Sequence, residues 1–147
     1  MLMHERVRTV RLMNAVAAGT SNQNSTSVDM SVNGGYRGIR FKALFGALTA
    51  GQVTYVKAQG STDNSSFSDL AGSNTGALAD ADSNNMVVVD LYKPIHRYNR
   101  VVIVRGTQNA VIDGVTAEMY EPITEKTTQS SSVTLSKQLI SPAAGTA

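Results

Sequence analysis

The 147-residue chain has no cysteine and no tryptophan, and only 16% of its residues are charged. The absence of cysteine excludes disulfides, thiolate metal sites and cysteine nucleophiles. No stretch approaches the roughly 18 consecutive apolar residues that a membrane-spanning helix needs, so no membrane partner is expected. Aromatic residues make up 5% of the chain, which disfavours a sugar-binding surface built from exposed rings.

The N-terminal segment also lacks the pattern of a secretory signal. A signal peptide needs an uninterrupted apolar stretch after its basic start. Residues 1–11 carry Arg6, Arg8 and Arg11, but Asn14 interrupts the apolar residues 12–18 that follow. We therefore expect a chain that is not secreted.

The basic charge is weak and dispersed. The formal net charge is +2 and the isoelectric point is about 9.0, whereas nucleic-acid binders concentrate basic residues on one face. Arg37, Arg40 and Lys42 stand singly along a strand pattern, which favours solvated strand faces. We expect no nucleic-acid partner.

Alternation of apolar and polar residues with a period of two dominates the chain, as in strands that are buried on one side. The alternating segments are residues 28–32, 39–45, 53–58, 115–120 and, more weakly, 133–137. Two continuous β-branched runs, residues 86–89 and 101–104, favour strands that are covered on both faces.

Turn signals separate these segments, and their spacing is typical of a sandwich or barrel. Examples are Asn33-Gly34-Gly35, Ala50-Gly51 and Asp113-Gly114; the last is either a turn or a bulge inside a long strand. Residues 74–82 are too short and too glycine-flanked to predict a stable helix. The fold class is all-β, a jelly-roll-like β-sandwich with extended N- and C-terminal arms.

One domain is expected. Residues 1–18 form an N-terminal strand or arm, residues 19–120 the β-sandwich core, and residues 121–147 a Ser/Thr-rich C-terminal arm. The last segment has too little apolar area to order by itself, so it either frays or docks on a partner.

No catalytic or metal-binding pattern stands out, so we expect no enzyme, no cofactor and no metal. His4 lies near the terminus, and His96 has cationic neighbours. No nucleophile elbow, phosphate-binding loop or zinc-binding motif occurs. Residues 80–84 begin like a calcium loop, but Asn85 holds its glycine position and Leu91 its bidentate position, so an Asx-rich turn is favoured.

Several stretches resemble a known family. They are YVKAQGSTDNSSFSDL at residues 55–70, VDLYKP at 89–94, RYNR at 97–100, RGT at 105–107, NAVID at 109–113 and ISPAAGTA at 140–147. With the strand at residues 36–47, they make most of the chain resemble the head decoration, or cement, proteins of tailed bacteriophages. Residues 1–12 match nothing specific.

The resemblance implies a jelly-roll or related sandwich that binds the outside of an expanded icosahedral capsid, often as a trimer. The implied partners are the major capsid protein and further copies of this chain in a homotrimer. The implied location is the virion surface, after synthesis in the host cytoplasm. The resemblance does not identify the residues that touch the shell.

Two groups of cations are candidate contacts with the capsid or with other subunits. Arg6, Arg8 and Arg11 are predicted to line one face of an N-terminal strand; the alternative is an edge strand protected by charge. The second group surrounds Pro94, which marks a strand end or corner. Its members are Lys93, His96, Arg97 and Arg100. The alternative there is a structural corner whose arginines pair with Asp90 or Asp113.

Other functions remain open at this point. A tail or head-completion component would use the same fold in a different part of the virion. A carbohydrate-binding module would use tyrosine platforms, whereas we expect most of the five tyrosines to lie in or beside the core.

Overall fold

A computed structural model describes residues 2–124, 127–139 and 144, and within them no helix is long and apolar enough to cross a membrane. Two antiparallel sheets pack face to face, which confirms the predicted all-β sandwich. The strands are β1 (Val7–Met13), β2 (Val16–Gly19), β3 (Gln23–Asn24), β4 (Val28–Asp29), β5 (Tyr36–Leu48), β6 (Val53–Ser61), β7 (Ser68–Asp69), β8 (Met86–Tyr92), β9 (Tyr98–Gly106) and β10 (Ala110–Pro122).

The strand order is that of a jelly roll. The first sheet runs β1-β10-β5-β8, with β2 continuing β1 along β10, and the second runs β3-β9-β6-β7, with β4 continuing β3 along β9. When β2 is counted with β1 and β4 with β3, successive strands alternate between the two sheets, except for β6 and β7, which are neighbours in the second sheet. This is the strand order of two Greek keys. The N-terminal segment is therefore an integral edge strand of the first sheet.

The core lies between the sheets, because period-two alternation places one side of each strand inward. Ile39, Phe41 and Ala43 of β5 and Val115, Ala117 and Met119 of β10 are buried. In β9, Val101, Val102 and Ile103 are all buried, which confirms the prediction that this run is covered on both faces. Asp113-Gly114 was expected to be either a turn or a bulge inside a long strand. The bulge is confirmed, because the register between β5 and β10 shifts between Ile112 and Gly114.

The other β-branched run is not covered on both faces. Strand β8 lies at the edge of the first sheet, and only Val89 of its seven residues is buried. The prediction was wrong because a continuous apolar run does not reveal whether a strand is central or at an edge.

Three further expectations have clear outcomes. The pattern at residues 28–32 gives only the short strand β4, since the chain then turns through a 3-10 helix, Val32–Gly34. Residues 133–137 form no strand. No α-helix forms in residues 74–82, where only a single 3-10 turn, Asp80–Asp82, is found.

The first part of the C-terminal segment docks on the chain's own N-terminal strand. The outward N–H groups of Thr9 and Arg11 donate to Gln129 Oε1 and Ser132 Oγ, both at 2.9 Å. The Gln129 amide donates to the Val7 carbonyl at 2.6 Å. Residues 129–132 therefore satisfy the open edge of β1 through side chains and cover it against other chains. The stretch 140–147 lies outside the described residues, apart from Ala144.

Candidate contact surface

The three N-terminal arginines do not form one face. Arg6 precedes β1, while Arg8 and Arg11 are three positions apart on one strand and so point to opposite faces. Arg8 lines a cavity of about 150 Å³ at the margin between the sheets, with Val10 and Val28, and its guanidinium donates to the Thr128 carbonyl. The prediction of a single basic face was wrong.

The cations around Pro94 are mostly engaged by nearby side chains. Arg97 forms a two-pronged contact with Asp29, with Nε–Oδ1 at 3.0 Å and Nη2–Oδ2 at 2.8 Å. Arg100 donates to Gln59 Oε1 at 2.9 Å, and its guanidinium carbon lies 3.9 Å from the centre of the Phe67 ring. The alternative that these arginines pair with Asp90 or Asp113 was therefore wrong in its partners, although Arg97 does form an ion pair.

Lys93 and His96, the other two members of this group, contact Tyr92 and Gly60 respectively. Lys93 follows β8 with a positive φ of 50°, and its ammonium lies 5.3 Å from the centre of the Tyr92 ring. The His96 ring lies against Gly60, where a Cβ atom would come within 2.4 Å of His96 Cδ2. A side chain at position 60 would therefore displace His96 and the corner around it.

The structure adds two apolar residues that the sequence analysis did not single out. Ile95 is 90% exposed and Ile123 is 63% exposed, and both line one shallow depression of about 420 Å³. We call this surface the corner patch and define it by Pro94, Ile95, His96, Arg97 and Ile123. The sequence signal for this patch was Ile95, an apolar residue in a turn between Pro94 and the basic residues His96 and Arg97.

The corner patch is apolar at its centre and charged at its margin. Strand β10 ends at Pro122, and the next N–H, that of Ile123, donates to the Gly35 carbonyl at 2.9 Å, which fixes the Ile123 side of the patch. The Asp29–Arg97 pair holds the other side. Apolar anchors surrounded by polar groups are typical of protein interaction surfaces.

The Arg97 guanidinium, through its hydrogen bonds, holds the pKa of Asp29 well below its usual 3.8, and hydrogen bonds from Ser31 act in the same direction. A carboxylate whose folded pKa is depressed stabilises the fold above its unfolded pKa, and this contribution is lost as the pH falls through the folded value. Because both side chains are partly exposed, the contribution is modest.

Arg97→Ala is expected to raise the pKa of Asp29 towards 3.8, because it removes the strongest stabiliser of the carboxylate. Carboxyl-carbon NMR titration measures this directly. Asp63 is the internal control, since backbone N–H groups of Ser65 and Ser66 lower its pKa without Arg97. An unchanged Asp29 titration would show that Ser31 alone holds the carboxylate.

Asp80 and Asp82, in the segment that begins like a calcium loop, both accept backbone hydrogen bonds. Asp82 Oδ2 accepts the Ala79 N–H at 2.8 Å, which agrees with an Asx-rich turn in residues 80–84. Asp80 Oδ2 accepts the N–H of the distant Gly51 at 2.9 Å and so joins this turn to the loop before β6. Within the described part of the chain, no group of three or more His, Cys, Asp or Glu side chains is placed to hold a metal ion.

No protein-family model matches this chain, and no curated protein matches it. Its function is therefore inferred from the fold and from the chemistry of its surface.

Proposed function

We propose that the chain is a non-enzymatic structural protein of a phage virion, which binds the outer surface of the capsid and stabilises the expanded shell by bracing capsomers. The observation that carries the proposal is the corner patch, where exposed Ile95 and Ile123 lie beside cations on a rigid sandwich. The jelly roll supports it, because this architecture is common among viral capsid proteins.

The chemistry of the patch suits docking on a shell. Burial of an exposed isoleucine contributes about 1.5–3 kcal/mol, and Lys93 adds a positive charge beside Tyr92. A mildly basic surface speeds association with acidic surfaces, which mature capsids often expose. In this proposal the major capsid protein is the partner of the corner patch.

Many weak contacts suffice for a protein that acts in many copies. We include a homotrimer in the proposal, because subunits that are tied together gain avidity when several engage the shell at once. The virion surface is then the place of action, after synthesis in the host cytoplasm. Arg11 and Arg100 are exposed or half-buried and remain candidate contacts.

The test is binding of the purified protein to expanded capsids from a phage mutant that lacks it, followed by cosedimentation and heating. We expect saturable binding in many copies and a raised capsid melting temperature. Ile95→Asp should weaken binding at least about tenfold, because it replaces an apolar anchor by a carboxylate.

Val53→Asp is the control, since Val53 is also exposed but begins β6, whereas the corner patch lies near Gly60 at the other end of that strand. It should bind like the wild type. Absence of binding by the folded wild-type protein would overturn the capsid proposal and favour a tail or head-completion role.

One observation favours a second candidate, carbohydrate binding. Tyr92 is exposed, whereas the other four tyrosines are buried or partly buried. It stacks beside Tyr120 with ring centres 6.5 Å apart and an angle of 8° between planes. Such rings offer a flat apolar platform to a sugar. A glycan array that responds to the wild type, with the response lost in Tyr92→Ala, would support this candidate.

A further inference from the structure

Most strand edges of the sandwich are covered by other parts of the chain. Residues 129–132 cover β1, as described above. The open side of β6 is covered by β7 and then by residues 70–78, through bonds such as Thr75 N–H to the Val56 carbonyl at 3.0 Å and Leu78 N–H to the Thr54 carbonyl at 2.8 Å. At the remaining edge of the second sheet, β3 and β4 are only two residues long each.

The free edge of β8 is the longest uncovered edge in the described residues, since the other, that of β2, spans four residues. Strand β8 pairs with β5 on one side, over the uninterrupted register from Gly38 opposite Tyr92 to Leu44 opposite Met86. On its other side, no residue in the described ranges forms a strand pair with it. Instead, a groove of about 280 Å³ separates residues 88–91 from residues 70–75.

The hydrogen-bond pattern shows which backbone groups face that groove. Lys93 N–H donates to the Arg37 carbonyl, and Phe45 N–H donates to the Asn85 carbonyl. In an antiparallel pair, bonded and non-bonded positions alternate. The odd-numbered residues of β8 therefore bond to β5. The N–H and C=O groups of Met86, Val88, Asp90 and Tyr92 point towards the groove.

This edge lacks the usual protection against pairing with another chain. Its outward side chains include Met86, Val88 and Tyr92, which are 57%, 38% and 54% exposed. Between Met86 and Tyr92 there is no lysine, no proline and no bulge, which are the common devices that block edge pairing. Only Asp90 is charged, and it accepts a hydrogen bond from the Tyr120 hydroxyl at 2.6 Å.

We propose that the free edge of β8 binds β8 of a second copy of this chain, antiparallel and across a two-fold axis at Val89. This register opposes Met86 to Tyr92 of the second copy, and Val88 to Asp90 of the second copy. All four outward-pointing residues then exchange backbone bonds with their counterparts, and the two first sheets become one continuous sheet.

The pairing is self-complementary, which is why a second copy fits this edge. A two-fold contact uses the same surface twice. Within the described residues, β8 is the longest strand that keeps an open edge, since the other such strand, β2, has four residues and an irregular register with β10. The methionine sulfur meets an aromatic ring on each side of the axis, a favourable contact. The contact does not depend on capsid binding.

The register predicts opposite results for two charges at one position. Val88→Asp places a carboxylate opposite Asp90 of the second copy, and directly opposed like charges destabilise a strand pair. Within its own chain the new carboxylate is opposite Lys42, which preserves the fold. Val88→Lys places an ammonium opposite Asp90 of the second copy and should keep the pair. Within its own chain it is opposite Lys42, so a lower thermal stability of the single chain is expected for this variant.

Sedimentation of the purified protein measures the assembly. We expect an even number of chains of 15.6 kDa each: two if the β8 pair is the whole assembly, or six if it joins two of the proposed trimers. Val88→Asp should have half the wild-type mass in either case. Val88→Lys and the control Val53→Asp, with 44% exposure against 38% for Val88, should keep the wild-type mass. Thermal unfolding verifies that each variant is folded.

Amide hydrogen exchange identifies the edge itself. In the wild type, the N–H groups of Met86, Val88, Asp90 and Tyr92 should be protected at high protein concentration and exchange faster on dilution and in Val88→Asp. The N–H groups of Val87, Val89 and Leu91 should stay protected throughout. An unchanged mass in Val88→Asp, or rapid exchange of the even-numbered amides in the assembled wild type, would overturn the proposal. Dissociation by both charges would overturn the register centred on Val89.

Discussion

Arg105→Met is expected to lower the free energy of unfolding by about 3 kcal/mol, because it removes the charged donor of three backbone carbonyls, of which that of Ala110 is buried. Arg105 occupies an inner position of β9 and is only 5% exposed. Its guanidinium donates to the carbonyls of Ser21 at 2.7 Å, Ala17 at 3.0 Å and Ala110 at 2.8 Å. It thereby ties the second sheet to β2 and β10 of the first.

A methionine of similar length fills the space but donates no hydrogen bond. Each carbonyl that is left buried and unpaired costs about 1–3 kcal/mol. Burial lowers the pKa of Arg105, yet a guanidinium still holds its charge, so the wild-type side chain donates fully. Arg105→Lys should also destabilise the fold, since a single ammonium cannot reproduce the planar arrangement of donors in the guanidinium.

Arg100→Met provides a matched control on the same strand. Arg100 lies on the outer face of β9, where it contacts Gln59 and Phe67, and its loss should cost less than about 1 kcal/mol. Urea unfolding followed by circular dichroism measures both variants. Equal effects at positions 105 and 100 would mean that water replaces the guanidinium at the three carbonyls.

Phe41→Ala is expected to cost about 3–5 kcal/mol, the second large effect. Phe41 lies in the centre of β5, opposite Ala117 of β10 and Val89 of β8, and is 1% exposed. Removal of the ring deletes a large buried apolar surface and leaves a cavity between two sheets that cannot close without shifting a whole strand.

Phe67→Ala tests whether burial, rather than the loss of a ring, causes the effect. Phe67 is only half-buried and packs against the Arg100 guanidinium at the surface. Its removal should cost about 1 kcal/mol. Calorimetric unfolding compares the two variants, and similar losses at both positions would contradict the placement of Phe41 in the core.

Local pattern determined much of the architecture. The period-two alternation of residues 39–45, 53–58 and 115–120 identified β5, β6 and β10, because alternation directly states which side of a strand is apolar. The continuous β-branched run at residues 101–104 predicted a strand covered on both faces, and its residues Val101, Val102 and Ile103 are buried. Together with the turn residues, these patterns predicted an all-β sandwich.

Tertiary structure decided which strands are edges and what each side chain meets. The run at residues 86–89 (MVVV) is as continuously apolar as the run at residues 101–104 (VVIV), but strand order places β8 at an edge. Arg97 pairs with Asp29, which is 68 positions away, and no local spacing encodes that distance. The docking of residues 129–132 on β1 and the meeting of Ile95 with Ile123 depend on the same long-range closure.

The sequence by itself therefore determined the class of fold, the long strands β5, β6 and β10, and the buried sides of β5 and β10, since these follow from neighbours along the chain. The buried position of Arg105, the corner patch and the open edge of β8 were decided by the order of strands in the two sheets. That order results from contacts between segments that are far apart in the sequence. These contacts stabilise the fold only when the two sheets pack together.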